Sequence, residues 1–265
     1  RQPGSTQQPI HTLGQNIWRY HPESRRYEVF AEGGGNAFGV EIDDQGRIYS
    51  GHNGGNTRGF HYVQGGYLQK GFEKHGPLSN PYAFGYFPAM PHGSEPRFTH
   101  NFVLYDHGAL PAHYSGHLFG VEPIQGRIVE SEVLPDRSSF RTRDLSRPVT
   151  SDDRWFRPVD IKAGPDGALY VADWYDQQVN HYRNHEGQMD ASNGRVYRLR
   201  AKGARPVPAE DLSRQTSAQL VERLTSPNRW TRQTALRLLA ERKDAALNPG
   251  LSAALSRTTG QDALE

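Results

Sequence analysis

Four times along the sequence a short apolar or alternating run meets a tight turn and returns as a second such run, the pattern of a β-hairpin. The units are Asn16–Phe30, turning at His21-Pro22-Glu23-Ser24; Phe38–Ser50, turning at Asp43-Asp44-Gln45-Gly46; Leu118–Leu134, turning near Gln125-Gly126; and Val159–Ala172, turning at Gly164-Pro165-Asp166-Gly167. The second and fourth resemble each other. Each alternates, passes an acidic Gly turn and resumes as Arg47-Ile48-Tyr49 or Ala168-Leu169-Tyr170. Their turn glycines stand 167 − 46 = 121 residues apart, about three periods of the ~40–50 residues that build a four-stranded propeller blade. The expected fold class is all-β: a β-propeller, whole or partial, over residues 1–200.

Composition agrees with short strands and tight turns. Of 265 residues, 28 are Gly and 18 Pro, and Tyr and Phe together outnumber Met by 24 to 2; glycine and proline serve turns, and aromatics suit a pleated surface. With 31 basic and 29 acidic residues the net charge is +2, too small a field to argue for a nucleic-acid partner. No apolar run is long enough for a membrane span, and residues 1–12 lack the apolar core of a signal peptide. The absence of cysteine removes disulfides, thiolate metal sites, a Cys nucleophile and covalent c-type haem from these residues.

The stretch 51–96 is crowded with Gly, His, Asn and aromatics and reads as long loops laid over one face. Behind Arg200 the pattern changes. Residues 201–208 form a Gly/Pro linker. Thr216-x-x-Gln219 is a capping box, and Ser226-Pro227 offers a cap followed by proline at the first helical position. The apolar spacing beyond each predicts two helices, a HEAT-like segment over 209–265 that either docks on the β body or stacks on further repeats.

The longest motifs, GGGNAFGVEIDDQGRIYSGHNGGNTRGFHY at 33–62 and WFRPVDIKAGPDGALYVADWYDQQVNHYRNHEGQMDASNGRVYRLR at 155–200, resemble the planctomycete and verrucomicrobial "membrane-bound dehydrogenase" propeller proteins. These are similar to quinoprotein glucose/sorbosone dehydrogenases and continue into HEAT repeats and a CxxCH cytochrome domain. The resemblance implies a periplasmic or secreted oxidoreductase, with Ca2+ and pyrroloquinoline quinone (PQQ) as cofactors. It also implies a small carbohydrate substrate and a cytochrome electron acceptor that this chain does not carry.

Propeller sites gather where inner strands and their connecting loops converge. By position the expected catalytic residues are His52, as the base near neutrality, with Arg157 and Asp160. Asn53, Trp174, Tyr175 and His181 are expected to contact cofactor, and Asp173, Asp176, Glu186 and Asp190 supply hard oxygens for Ca2+. The plainer alternatives are a buried Arg157–Asp160 pair tying blades together, a turn histidine at 52, and solvated acidic loops. His181 and His185, if on one strand, would lie about 13 Å apart, too far for one Zn2+. Glu41, Glu122 and Asp136 are candidates for paired glycosidase carboxylates, although nothing in the sequence fixes their separation. There is no nucleophile elbow, P-loop or dinucleotide fingerprint. Three functions follow as alternatives: a quinoprotein-like sugar or alcohol dehydrogenase, a Ca2+-dependent hydrolase such as a lactonase, and a carbohydrate-binding module or assembly piece without catalysis.

Overall fold

The computed structural model describes residues 15–34, 37–52, 57–69, 85–92, 101–106, 108–177, 179, 190, 192–204 and 210–257. Before Arg200 the described regular structure is β, in four small sheets, apart from one 3-10 turn at Ala112–Tyr114. Sheet A joins β1 (Asn16–His21), β2 (Arg26–Gly33) and β6 (Tyr67–Leu68). Sheet B joins β3 (Ala37–Ile42), β4 (Ile48–His52) and β5 (Gly59–Tyr62). Sheet C runs β7 (Phe102–Leu104), β8 (Leu118–Glu122), β9 (Arg127–Asp136) and β10 (Ser139–Thr150), and sheet D runs β11 (Pro158–Ala163), β12 (Leu169–Asp173) and β13 (Arg195–Leu199). All four hairpins predicted from sequence are present; the first turns over Pro22–Arg25, one residue past the expected His21–Ser24, and the other three turn at the expected residues. The stretch 51–96 departs from the expectation of loops alone, because its described part contains β5 and β6, the latter pairing in parallel with β2.

The sheets pack in succession, each through its own apolar layer. Ile17, Ala31, Phe60, Tyr62 and Leu68 join A to B, and Tyr49, Met90, Phe102 and Leu118 join B to C. Val103, Tyr105, Phe119, Val121, Ile128, Ile161, Leu169 and Val171 join C to D. A small twisted sheet cannot bury its apolar face alone, so serial face-to-face stacking is the way four of them share a core.

One buried guanidinium spans the B–C layer. Fully buried Arg58 donates from Nη2 to Asp144 Oδ2 at 2.6 Å and from Nη1 to Glu122. Asp144 also accepts from Ser131 at 2.7 Å and faces His92 Nε2 at 3.3 Å. Burial by itself would raise the Asp144 carboxyl, but the hydrogen bonds from His92 and Arg58 outweigh it and hold it far below the usual carboxylate range. Glu122, buried and also bonded to Arg127 Nε at 2.6 Å, is a structural ion-pair residue rather than a glycosidase acid.

The C-terminal segment contains α1 (Ser217–Arg223), α2 (Arg229–Arg242) and α3 (Asn248–Arg257). The Thr216/Gln219 capping box closes α1 as expected. The start of α2 differs from expectation: the cap is Asn228, whose side chain accepts from Trp230 N, and Ser226 instead accepts from Asn228 N. The cap therefore moves two residues downstream of the Ser-Pro signal, because asparagine caps as well as serine does. Leu212, Leu220, Ala235, Leu238 and Leu239 form the helical core.

This segment docks on the β body through polar contacts. Buried Arg229 donates to Glu41 Oε1 at 2.6 Å, to the Leu104 carbonyl at 2.6 Å and to the Ile42 carbonyl at 3.1 Å. Arg232 reaches Asp106 at 3.1 Å, and Asn228 reaches the Pro165 carbonyl at 3.2 Å. Glu41 is thus a docking residue and is not available as a glycosidase carboxylate.

Two outcomes are expected. Arg229→Ala strands a buried carboxylate and two carbonyls and should lower stability by about 3–5 kcal/mol in denaturant titration, with Arg229→Lys recovering only part because one ammonium cannot fork. Asp144 has a lowered native pKa, so its contribution is complete above the unfolded value near ~4 and is lost as pH falls towards the native one. Asp144→Asn should flatten the acid limb of the stability–pH curve.

Candidate active site

β3, β7 and β11 are the first strands of sheets B, C and D, and they lie side by side. Two cross-rows show that they run the same way in register. At the leading ends, the Asn101 amide lies against Gly39 of β3 and donates to Asp160 Oδ1 of β11. Farther along, Glu41 of β3 accepts from Leu104 N of β7 at 3.2 Å and faces Lys162 of β11 at 3.9 Å. Gly39 is required here: its φ is +67° and a Cβ would fall inside the Asn101 amide. Arg229 sits at the trailing ends, so the leading ends are left for other chemistry.

The expected site residues that are described lie at those leading ends. His52 ends β4 opposite Ala37, the first residue of β3. It is half-buried and meets Phe60 edge-on at 5.0 Å. Asp160 is exposed and stands in a β11 irregularity after Pro158. Asp173 pairs with Pro158, which brings Trp174, Tyr175 and Asp176 to the same end. Asn53, His181 and Glu186 lie outside the described residues, as does His185.

Arg157 does not pair with Asp160. Its Nη2 donates to the Gln177 carbonyl at 2.8 Å and its Nη1 to the Phe156 carbonyl at 3.2 Å, so the guanidinium braces the main chain. The plainer Arg157–Asp160 pair is not what the geometry shows. The Asp160 partner is Asn101, which no motif marked. Asp173 is buried, and its Oδ1 accepts from Arg157 N at 2.7 Å and Tyr175 N at 2.9 Å. The second of these bonds ties Tyr175 at φ +54°, an uncommon conformation for a non-glycine residue. Tyr175 carries the Arg195 guanidinium 3.2 Å from its ring centroid, and Trp155 packs beside it at 5.6 Å. Arg195 is exposed and opposite Asp173 in register. Tyr197 beside them has its phenol pKa raised, by burial first and by the Asp173 charge next.

Asp176 is fully buried, and neither carboxylate oxygen has a hydrogen-bond partner among the described residues. Buried carboxylates are normally bonded or paired, so this one fits a hard cation. Asp190, by contrast, is exposed and caps a local turn, accepting from Ser192 N at 2.8 Å and Asn193 Nδ2 at 2.7 Å. Among the described residues no three His, Asp or Glu side chains converge as a ready-made metal cluster.

Substituting Gly39 by Ala should destabilise the protein by about 1–3 kcal/mol through the left-handed backbone, with a further loss from displacing Asn101. Denaturant midpoints of Gly39→Ala and Asn101→Ala measure both. Equal stability to wild type would show that the leading-end row is not a structural tie.

No curated protein matches the chain. Several solved structures share 18% identity with it. An oxidoreductase (glucose dehydrogenase) from Thermus thermophilus superposes with a TM-score of 0.42 over 64% of this chain and 47% of its own. Another glucose dehydrogenase gives 0.42 over 67% and 48%. The soluble aldose sugar dehydrogenase from Escherichia coli, in its apo form, gives 0.38 over 55% and 44%. The chain spans about half the length of these structures. The match that covers most of the sequence is to a family described as "Domain of unknown function (DUF7133)", over residues 3–203, and the chain belongs to that family.

Proposed function

We propose that the four sheets form a sector of a β-propeller backed by HEAT-type helices, and that the protein is a quinoprotein-like oxidoreductase acting on a sugar or related alcohol. The propeller reading is supported by three parallel first strands laid side by side and by sheets stacked in series. The functional reading is supported by the sequence resemblance at 33–62 and 155–200. The one observation that carries it is Asp176, a buried carboxylate with no hydrogen-bond partner among the described residues, at the end of the strands where the other candidate residues collect.

In this reading Asp176 and Asp173, with loop carbonyls, hold Ca2+. Arg195, stacked on Tyr175, holds an anionic group of the ligand, and Trp174 flanks it. PQQ, when bound, supplies the hydride acceptor. The chain's own part is to orient the sugar through Asp160 and Asn101 and to accept the hydroxyl proton at His52, an imidazole being suited to a base near neutral pH. The protein works in the periplasm or outside the cell and passes electrons to a cytochrome domain. No helix among the described residues is long and apolar enough to cross a membrane.

Calorimetric titration with Ca2+, followed by PQQ-dependent dye reduction with an aldose, tests the reading. Wild type should bind Ca2+, and Asp176→Asn should weaken that binding at least ~10-fold, as loss of a charged ligand does. The same variant should raise the melting temperature of the cation-free protein, because it removes a buried carboxylate left without a partner, worth about 1–3 kcal/mol. Absence of Ca2+ binding by wild type would sink the cation site. Lactone opening with Ca2+ and no dye reduction would replace the oxidoreductase by a hydrolase, and inertness in both assays would leave a carbohydrate-binding module.

A further inference from the structure

The hairpin of β1 and β2 has two unlike faces. On one, Arg19 is bonded to Glu28 and lies over Phe30 at 5.7 Å. On the other, Trp18 stands opposite Val29 and Tyr20 opposite Tyr27, with the Trp18 and Tyr27 rings edge to face at 5.5 Å. Trp18 is 49% and Tyr20 52% exposed. A ribbon that only needed solvation would carry charges on both faces, as the Arg19 face does.

The composition of the patch narrows its occupant. Three aromatics and a single aliphatic present flat rings, and two of those rings end in hydroxyls, a surface that is apolar over its faces and polar at its rim. Trp18 and Tyr20 are two residues apart on a strand, so they lie about 7 Å apart along one line. Half-exposed, the two offer roughly 200 Å², well short of the ~800 Å² per partner of a stable protein interface. An extended ligand with flat apolar faces and hydroxyl edges meets that description. At the hairpin tip, Glu23 pairs with Lys243 at the end of α2.

We propose that the Trp18–Tyr20 face is a stacking surface for a polysaccharide, contacting successive pyranose rings of an extended chain. It needs neither Ca2+ nor quinone and is independent of the redox chemistry. Native electrophoresis in gels containing hydroxyethyl cellulose, xylan or alginate tests it. Wild type should be retarded by at least one of them. Trp18→Ala and Tyr20→Ala should each restore most of the free mobility with unchanged melting temperatures, and Trp18→Phe should keep part of the retardation. Retardation should persist at roughly 0.5 M NaCl, because stacking is not screened as charge attraction is. Three results would each overturn the proposal: no retardation by any polymer, equal retardation of the alanine variants, or a concentration-dependent dimer that Trp18→Ala dissociates, which would make the face an interface between copies.

Discussion

The arrangement of this protein depends on keeping polar groups paired between three neighbouring first strands. Sheet stacking alone is non-directional, since apolar layers tolerate sliding. Polar cross-rows do not. Asn101 between Gly39 and Asp160 fixes one level, and Glu41 between Leu104, Lys162 and Arg229 fixes the next. Because a buried carboxylate must keep its partners, a one-residue slip of β3 against β7 would strand Glu41 and drive Gly39 away from the asparagine that fits against it.

These ties also divide the labour between the two ends of the strands. The trailing ends meet a helix that brings its own cations, Arg229 and Arg232, to the carboxylates and carbonyls there. The leading ends keep Asp160 exposed and Asp176 buried without a partner among the described residues. Among the described residues, the buried atoms Asn101 Oδ1, Arg157 Nε, Asp173 Oδ2 and both Asp176 oxygens make no hydrogen bond, and all belong to residues at that end. Such segregation is a reason for reading the leading ends as the chemical face. Tyr175 adds to it, since its left-handed backbone is tied through its own N–H to one buried aspartate.

Much of the β architecture was legible in the sequence because hairpins are local. Turn residues and alternation put β1–β2, β3–β4, β8–β9 and β11–β12 where the coordinates have them. Short strands without a tight turn, such as β6 and β7, escaped, since two or three residues carry no period. That most of the described candidate residues would gather at one end of the strands was legible too, because strand ends adjoin recognisable turns. The partners of its residues were not. Arg157 beside Asp160 in sequence suggested a pair, yet the bulge at the start of β11 separates them, and Asp160 finds an asparagine 59 residues away. Nothing in the local pattern singled out Arg195 within the 155–200 motif; the β12–β13 register brings it opposite Asp173.

The helical segment touches sheet B through Glu41 and Ile42, sheet C through Leu104 and Asp106, and sheet D through Pro165. A serial stack would otherwise transmit stability only from neighbour to neighbour, so that opening could begin at one flank and stop partway. A brace across three members turns that relay into a single cooperative unit. The helical segment reaches sheet A through the exposed Glu23–Lys243 pair, and sheet A meets sheet B through their shared apolar layer and the bond from Ala37 N to Gln15 Oε1. It is therefore the module free to loosen first while the rest stays folded.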